Sequence, residues 1–347
     1  MLGYVNKAVF ILLTLLIAPH VWSQTLSAGA DAALRRGLAA QEHGDFAAAV
    51  QALEEADAAS PNQLEIQRPL LIAYLQAGRI PDAERLGQAA AEHWPRDPEV
   101  LHGLGLAYFK GARNEDAREQ LEKAVRLEPA SFAAHFDLSL VLLTMQDYGS
   151  AVRELEAAEK IDPKDALTHL LLGRAYQNTN RSEDAIHQFK AALRLDPQVK
   201  LGHYHLGFAY ESLGRTEQAV REYRAEVEQN PQNALARYHY GRCLLDSGDW
   251  QASMAQLQRA TELDGSNADA FYDLGKALLM SGETERAIDA LQASIRLNSG
   301  NPSPHYLLAR ALEKSGRKEE ADAEWARFAG LNKAHPPTGG MAAGRPQ

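Results

Sequence analysis

Histidines, carboxylates, a thiol and a set of tyrosine–cation pairs are the residues of this chain whose types and spacing could support chemistry. Twelve histidines invite a metal centre, because imidazole is a common zinc ligand. Four of them, His135, His169, His203 and His305, recur in one phase of a sequence repeat. Side chains so spaced sit on successive structural units, about 10 Å apart at usual helix-packing distances. Zinc ligands must instead converge to about 2.1 Å from one ion, so a packing role is expected for these four. His203 and His205, two apart, point to different helix faces. No HExxH motif, cysteine pair or carboxylate–histidine arrangement stands out, and no metal or other cofactor is expected. Cys243 is the single cysteine; alone it forms neither an internal disulfide nor a cysteine-rich zinc site, and it reads as a small buried filler. Glycine-rich phosphate loops and the GxSxG elbow are missing from the sequence. No catalytic residue is assigned, and the chain is not expected to be an enzyme.

The elements that must position these residues are set by the repeat. Pro61, Pro95, Pro129, Pro163, Pro197 and Pro231 follow one another at a constant step of thirty-four, and the next two steps fall on Gly265 and Ser299. Twelve residues before each slot stands a small residue: Ala49, Ala83, Ala117, Ala151, Ala185, Ala219, Ser253, Ala287 and Ala321. Ten residues after it the column is again mostly small: Gly37, Leu71, Gly105, Ser139, Gly173, Gly207, Gly241, Gly275 and Ala309. Small residues recur where two helices approach closely. Bulk comes from Leu53, Leu121, Leu155, Phe189, Tyr223, Leu257, Leu291 and Trp325. Within one period, Leu206, Gly207 and Tyr210 have helical spacing, Gly214 suits a helix end, Thr216 is placed to cap the next helix, and Pro231 stops it. A lone helix pair cannot bury its apolar stripe, so stacked neighbours must share one core.

These columns resemble the tetratricopeptide repeat. His169, Leu172, Gly173, Tyr176, Ala185, Phe189, Ala192 and Pro197 fit one unit of that family. The resemblance implies an all-α, right-handed α-solenoid of helix–turn–helix repeats, here at 30–63, 64–97, 98–131, 132–165, 166–199, 200–233, 234–267, 268–301 and 302–331. The second repeat, with Leu71 at a small slot and Gly87 at a bulky one, is expected to pack loosely. Trp325 and Phe328 are expected to pack on each other or on the tail, since no further helix follows.

The resemblance also implies that the first helix of each unit lines a concave groove. Positions three before and one after the glycine column then face it, and they supply a candidate ligand groove of Phe136, Arg174, Tyr204, Tyr238, Arg242, Tyr272, Lys276, Tyr306 and Arg310. Tyr238–Arg242, Tyr272–Lys276 and Tyr306–Arg310 are each four apart and share a helix face. Tyrosines offer rigid contact area, and the cations suit acidic side chains or a peptide's C-terminal carboxylate. The competing reading packs the tyrosines between helices and leaves the cations to solvent. The Lys/Asn/Lys/Arg carboxylate grip of some co-chaperones in the family is not matched, and neither is the asparagine ladder of its sugar-transferring members.

A formal net charge of −10 gives no reason for non-specific nucleic-acid binding. Lys7, the apolar run 8–18, Pro19 and the small residues ending at Ser23 have the layout of a secretory signal peptide; the run is shorter than the ~20 residues of a membrane span. Residues 1–23 are therefore expected to be removed after Ser23, the alternative being an uncleaved membrane anchor, with 24–29 expected to form a short linker and 332–347 a disordered tail. The expected product is a non-enzymatic scaffold in the periplasm or outside the cell, binding a protein or peptide. The alternative is the substrate-recognition subunit of an envelope enzyme or transferase complex.

Overall fold

Alanine, leucine, glutamate and arginine dominate the chain, and all favour helix. In the computed structural model, which describes residues 26–334, the ordered elements are eighteen helices and, among the described residues, no strand. The expected signal segment and the tail from residue 335 lie outside the described residues.

The chain divides into two units, one ending at Thr179 and one beginning at Asn180. The first holds α1 (Ala28–Glu42), α2 (Phe46–Ala59), α3 (Leu64–Gln76), α4 (Ile80–His93), α5 (Pro98–Lys110), α6 (Asn114–Leu127), α7 (Phe132–Thr144), α8 (Tyr148–Ile161) and α9 (Ala166–Asn178). The second holds α10 (Ser182–Leu195), α11 (Gly202–Ser212), α12 (Thr216–Gln229), α13 (Ala234–Asp246), α14 (Trp250–Leu263), α15 (Ala268–Met280), α16 (Thr284–Leu297), α17 (Pro302–Lys314) and α18 (Lys318–Ala334). Within each unit every helix packs against the next one in the chain. Successive first helices also touch: α3 on α5 in the first unit, α13 on α15 and α15 on α17 in the second.

The small column explains the closeness of each pair. A Cβ added at Gly105 would lie 2.6 Å from Leu121 Cγ, and one at Gly241 or Gly275 would lie 2.6 Å from Leu257 or Leu291 Cγ. The leucines are fully buried, so the glycines are the room into which the second helix presses its bulk. The second repeat is not loose. Leu71 is buried, and its bulk is received by Gly103 of the next repeat, where a Cβ would lie 2.6 Å from Leu71 Cδ2; Gly87 in turn gives room to Leu104. Large and small have been exchanged across neighbouring helices.

Each pair turns through a left-handed residue, and these keep the phase of the repeat: Gly44, Gly78, Ala112, Gln146, Asn180, Gly214, Gly248, Gly282 and Gly316. The second helix follows two residues later. Arg215, not Thr216, occupies the cap position of α12, and its side chain makes no capping bond. First helices are better capped: Ser27, Asp97, Ser131, Asp165, Asn233, Asn267 and Asn301 each accept a backbone N–H of their own first turn. Ser27 starts α1 at Ala28, two residues before the expected array. At the other end α18 runs to Ala334, so Asn332, Lys333 and Ala334 are helical rather than part of a tail.

Two repeats depart from this rule: Gln63 makes no capping bond at the start of α3, and the sixth repeat departs further. Val199 stands where a cap is due, Leu201 takes a left-handed φ of 63°, and α11 starts late, at Gly202. Glu226 of α12, at the slot that is usually alanine and 0% exposed, supplies the missing acceptor. Its Oε2 takes the Tyr204 N–H at 3.2 Å, and its Oε1 takes Asn230 and Asn233 Nδ2 at 2.9 and 3.0 Å. A buried carboxylate is tolerable here because its lone pairs are satisfied.

Three of the four slotted histidines bridge the two helices of their pair, while His169 lies 3.5 Å from Glu159 of the preceding helix. His135, His203 and His305 meet Glu154, Glu222 and Glu324 at 2.7, 2.7 and 2.5 Å, at one fixed offset along the chain. The carboxylate–histidine arrangement that does not stand out in the sequence therefore exists, as a helix tie repeated along the array. Glu154 raises the pKa of His135 by hydrogen bonding, against the opposing effect of burial.

Candidate protein-binding face

In the second unit the first helices α13, α15 and α17 lie side by side and carry Tyr238 and Arg242, Tyr272 and Lys276, and Tyr306 and Arg310. Arg242 lies over the Tyr238 ring at 5.5 Å, and Arg310 over Tyr306 at 5.8 Å. The three cations differ in what else holds them. Arg242 is paired with Glu211 at the end of α11 through two nitrogens, Nε at 3.0 Å. Glu211 also accepts from the Tyr223 hydroxyl at 2.6 Å and from His239 Nδ1 at 3.1 Å. Burial opposes ionisation of Glu211, but bonds from His239, Arg242 and Tyr223 win and hold it at about 2. Burial, with the Glu211 charge beside it, pushes the Cys243 thiol up to about 12, so this cysteine is an unreactive filler. Lys276 and Arg310, by contrast, have no ion pair among the described residues; Lys276 is half-buried and Arg310 exposed.

A carboxylate lies between α13 and α15. Asp273, two residues before Gly275, is only 8% exposed, and no hydrogen bond or ion pair reaches it among the described residues. Burial pushes it up to about 6, with Lys276 and Arg242 pulling down and Asp246 and Asp269 pushing up. Its field also raises the pKa of Tyr238 and Tyr272, after burial the largest cause in each. The same slot in the first unit holds Asp137, 8% exposed and bonded to His102 Nε2 at 2.7 Å. Tyr238 stands as far before Asp273 in the chain as His102 stands before Asp137.

Models of the tetratricopeptide repeat match residues 68–113, 102–166, 170–234, 204–268 and 241–302, and a second such model matches 40–89 and 278–327. The chain belongs to the tetratricopeptide repeat family. Solved structures agree on the fold. The C-terminal part of a repeat-containing protein from Cytophaga hutchinsonii is 16% identical, with a TM-score of 0.56 over 70% of this chain and 99% of that one. PilF of Pseudomonas aeruginosa is 20% identical, with a TM-score of 0.53 over 61% and 97%. Cut9, solved with Hcn1 as a hetero-tetramer of the APC/C, is 15% identical, with a TM-score of 0.50 over 81% and 56%. A search of the curated proteins found no match.

Within this tetratricopeptide repeat chain the expected groove residues separate. Phe136 is 1% exposed and stacks on Phe132 at 5.6 Å, so it is core in the first unit and offers nothing to a ligand. Arg174, also in the first unit, is half-exposed on α9. In the second unit Tyr204 is enclosed by His205, Phe208, Tyr223 and His239, with ring centroids 5.2–6.4 Å away, and burial pushes it up to about 12. Tyr306 packs edge-on to Trp325 at 5.3 Å and near Phe328 at 5.4 Å. Tyr238, 9% exposed, belongs to the core of the second unit, and Tyr272 packs partly against it; Lys276 and Arg310 remain on the α15–α17 face with the exposed edges of Tyr272 and Tyr306. Sequence reasoning misses Asp273 and Glu211. Their signal is an offset slightly longer or shorter than one repeat, as from His102 to Asp137 or from Glu211 to Arg242, which links neighbouring units rather than equivalent slots.

Proposed function

We propose that this chain is a non-enzymatic protein–protein interaction scaffold that holds a peptide or protein segment on the α13–α15–α17 face. Tetratricopeptide arrays offer repeated first-helix surfaces suited to such partners. The observation that carries the reading here is Lys276 and Arg310, cations without an ion pair among the described residues, beside Tyr272 and Tyr306 on adjacent helices. A carboxylate of the partner, on a side chain or at a C-terminus, is the complement of those two cations. Arg242 contributes less than its position suggests, because Glu211 already neutralises it. We place the scaffold in the cell envelope or outside the cell, on the signal-like composition of residues 1–23. No helix among the described residues is long and apolar enough to cross a membrane.

The test is cross-linking in cells with Lys276 and Arg310 both reversed to glutamate. Partner capture should fall at least tenfold, while reversal of Arg35 and Arg36 on α1 leaves it unchanged. Capture that survives the first pair of substitutions removes the face assignment.

A further inference from the structure

A carboxylate enclosed without a donor is costly, and the first unit shows how the fold normally relieves it. Asp137 receives His102; Asp273, in the same slot, has the phenol of Tyr238 at the equivalent place and no bond from it. The Asp273 oxygens nonetheless remain reachable. Among the described residues the fully enclosed side-chain polar atom lacking a partner is Gln177 Nε2, and neither Asp273 oxygen shares that state. They therefore keep some contact with solvent.

The surroundings define what could come to them. The charges that reach Asp273 are Lys276 and Asp269 on its own helix and Arg242 and Asp246 on α13. Arg242 is offset by Glu211, so three carboxylates are left against Lys276, which does not come within ion-pair distance. Local charge is thus negative, at a point whose field reaches the phenols of Tyr238, 9% exposed, and Tyr272, half-buried. A buried acceptor near aromatic rings suits a compact cation that combines one charge-assisted bond with contact to the ring faces. No group of three or more metal-ligating side chains occurs among the described residues, and an acceptor on a residue only 8% exposed suits the compact ammonium better than the broad guanidinium.

We propose that Asp273, with Tyr238 and Tyr272, receives the primary ammonium of a lysine side chain on the partner segment. This rests on the reading that the α13–α15–α17 face binds a protein segment, and it makes that segment one of mixed charge: a carboxylate for Lys276 and Arg310, and a lysine for Asp273.

The probe is a set of labelled, capped hexapeptides, acetyl-Ala-Leu-X-Glu-Leu-Ala-amide, with X lysine, acetyllysine, arginine or alanine, titrated by fluorescence anisotropy against the full chain and its Asp273→Asn variant. The lysine peptide should bind at least tenfold more tightly than the acetyllysine and alanine peptides at pH 7.5. That preference should vanish in Asp273→Asn, whose fold the isosteric amide preserves. It should also shrink below pH 6 as the carboxyl takes up its proton, since the neutral acid attracts the ammonium less. Lysine preference that persists in Asp273→Asn, or equal binding of lysine and acetyllysine peptides, overturns the ammonium inference alone. Equal binding of the arginine peptide overturns the choice of ammonium. Failure of every peptide to bind overturns the face reading with it.

Discussion

Asp137 in the first unit and Asp273 in the second occupy one slot of the repeat and share the same burial, yet one is bonded and the other is not. The backbone treats them alike; the difference lies in the residue one repeat and one place earlier, histidine in one case and tyrosine in the other. Left-handed residues other than glycine occur in both units, Asn62, Ala112 and Gln146 in the first and Asn180 and Leu201 in the second, so turn conformation does not separate them. What sets the second unit apart is an unpaired acid on the proposed ligand face. Stability withheld at one point, with the rest of the unit well ordered, is how binding sites commonly differ from scaffold.

Three substitutions break or sharpen that contrast. His102→Ala should be the most damaging, because it leaves Asp137 as bare as Asp273 with none of the tyrosine surroundings. We expect a loss of about 3 kcal/mol in chemical denaturation, with faster hydrogen exchange in α5 and α7. A loss under about 1 kcal/mol would mean that the pair does not stabilise the first unit. Asp273→Asn should act in the other direction. A carboxyl raised to about 6 in the fold from its ordinary value near 3.9 weakens the fold at pH above its unfolded value, most fully above 6, and that penalty is relieved as the pH falls through 6 toward 4. The amide should therefore gain up to about 2 kcal/mol at pH 7.5 and nothing at pH 3.5; an equal effect at both would exclude the charge as the cause. Ala112→Gly is the smallest change, a gain of about 0.5–1 kcal/mol from relief of the left-handed strain. Thermal melts should show no such gain for the same exchange at Ala107, in the interior of α5.

Much of this architecture is legible in the sequence because it is periodic. Phased prolines, the small column opposite the bulky one, and Gly214 at its turn all act within one repeat, so comparing equivalent slots exposes them. The aromatic–cation row emerges in the same way. What slot comparison cannot find is whatever acts between repeats. Arg242 resembles Lys276 and Arg310 in sequence, but Glu211 of the preceding repeat closes on it. Phe136 resembles the tyrosines of its column, yet Phe132 and the first-unit core enclose it. The compensation of Leu71 by Gly103 is likewise invisible unless those two residues of neighbouring repeats are set side by side.

The borrowed cap of α11 bears on how the chain is made. Seven of the nine first helices carry their own capping side chain, a contact available as soon as the segment itself is made; α3 and α11 do not. For α11, the carboxylate that closes its first turn lies in the helix synthesised after it. Its beginning stays open until Glu226 has emerged and α12 has docked. In growth along the array from the N-terminus, the natural order during translation, the start of α11 is therefore sealed only once α12 is in place, ahead of the helices that carry Tyr238, Tyr272 and Tyr306.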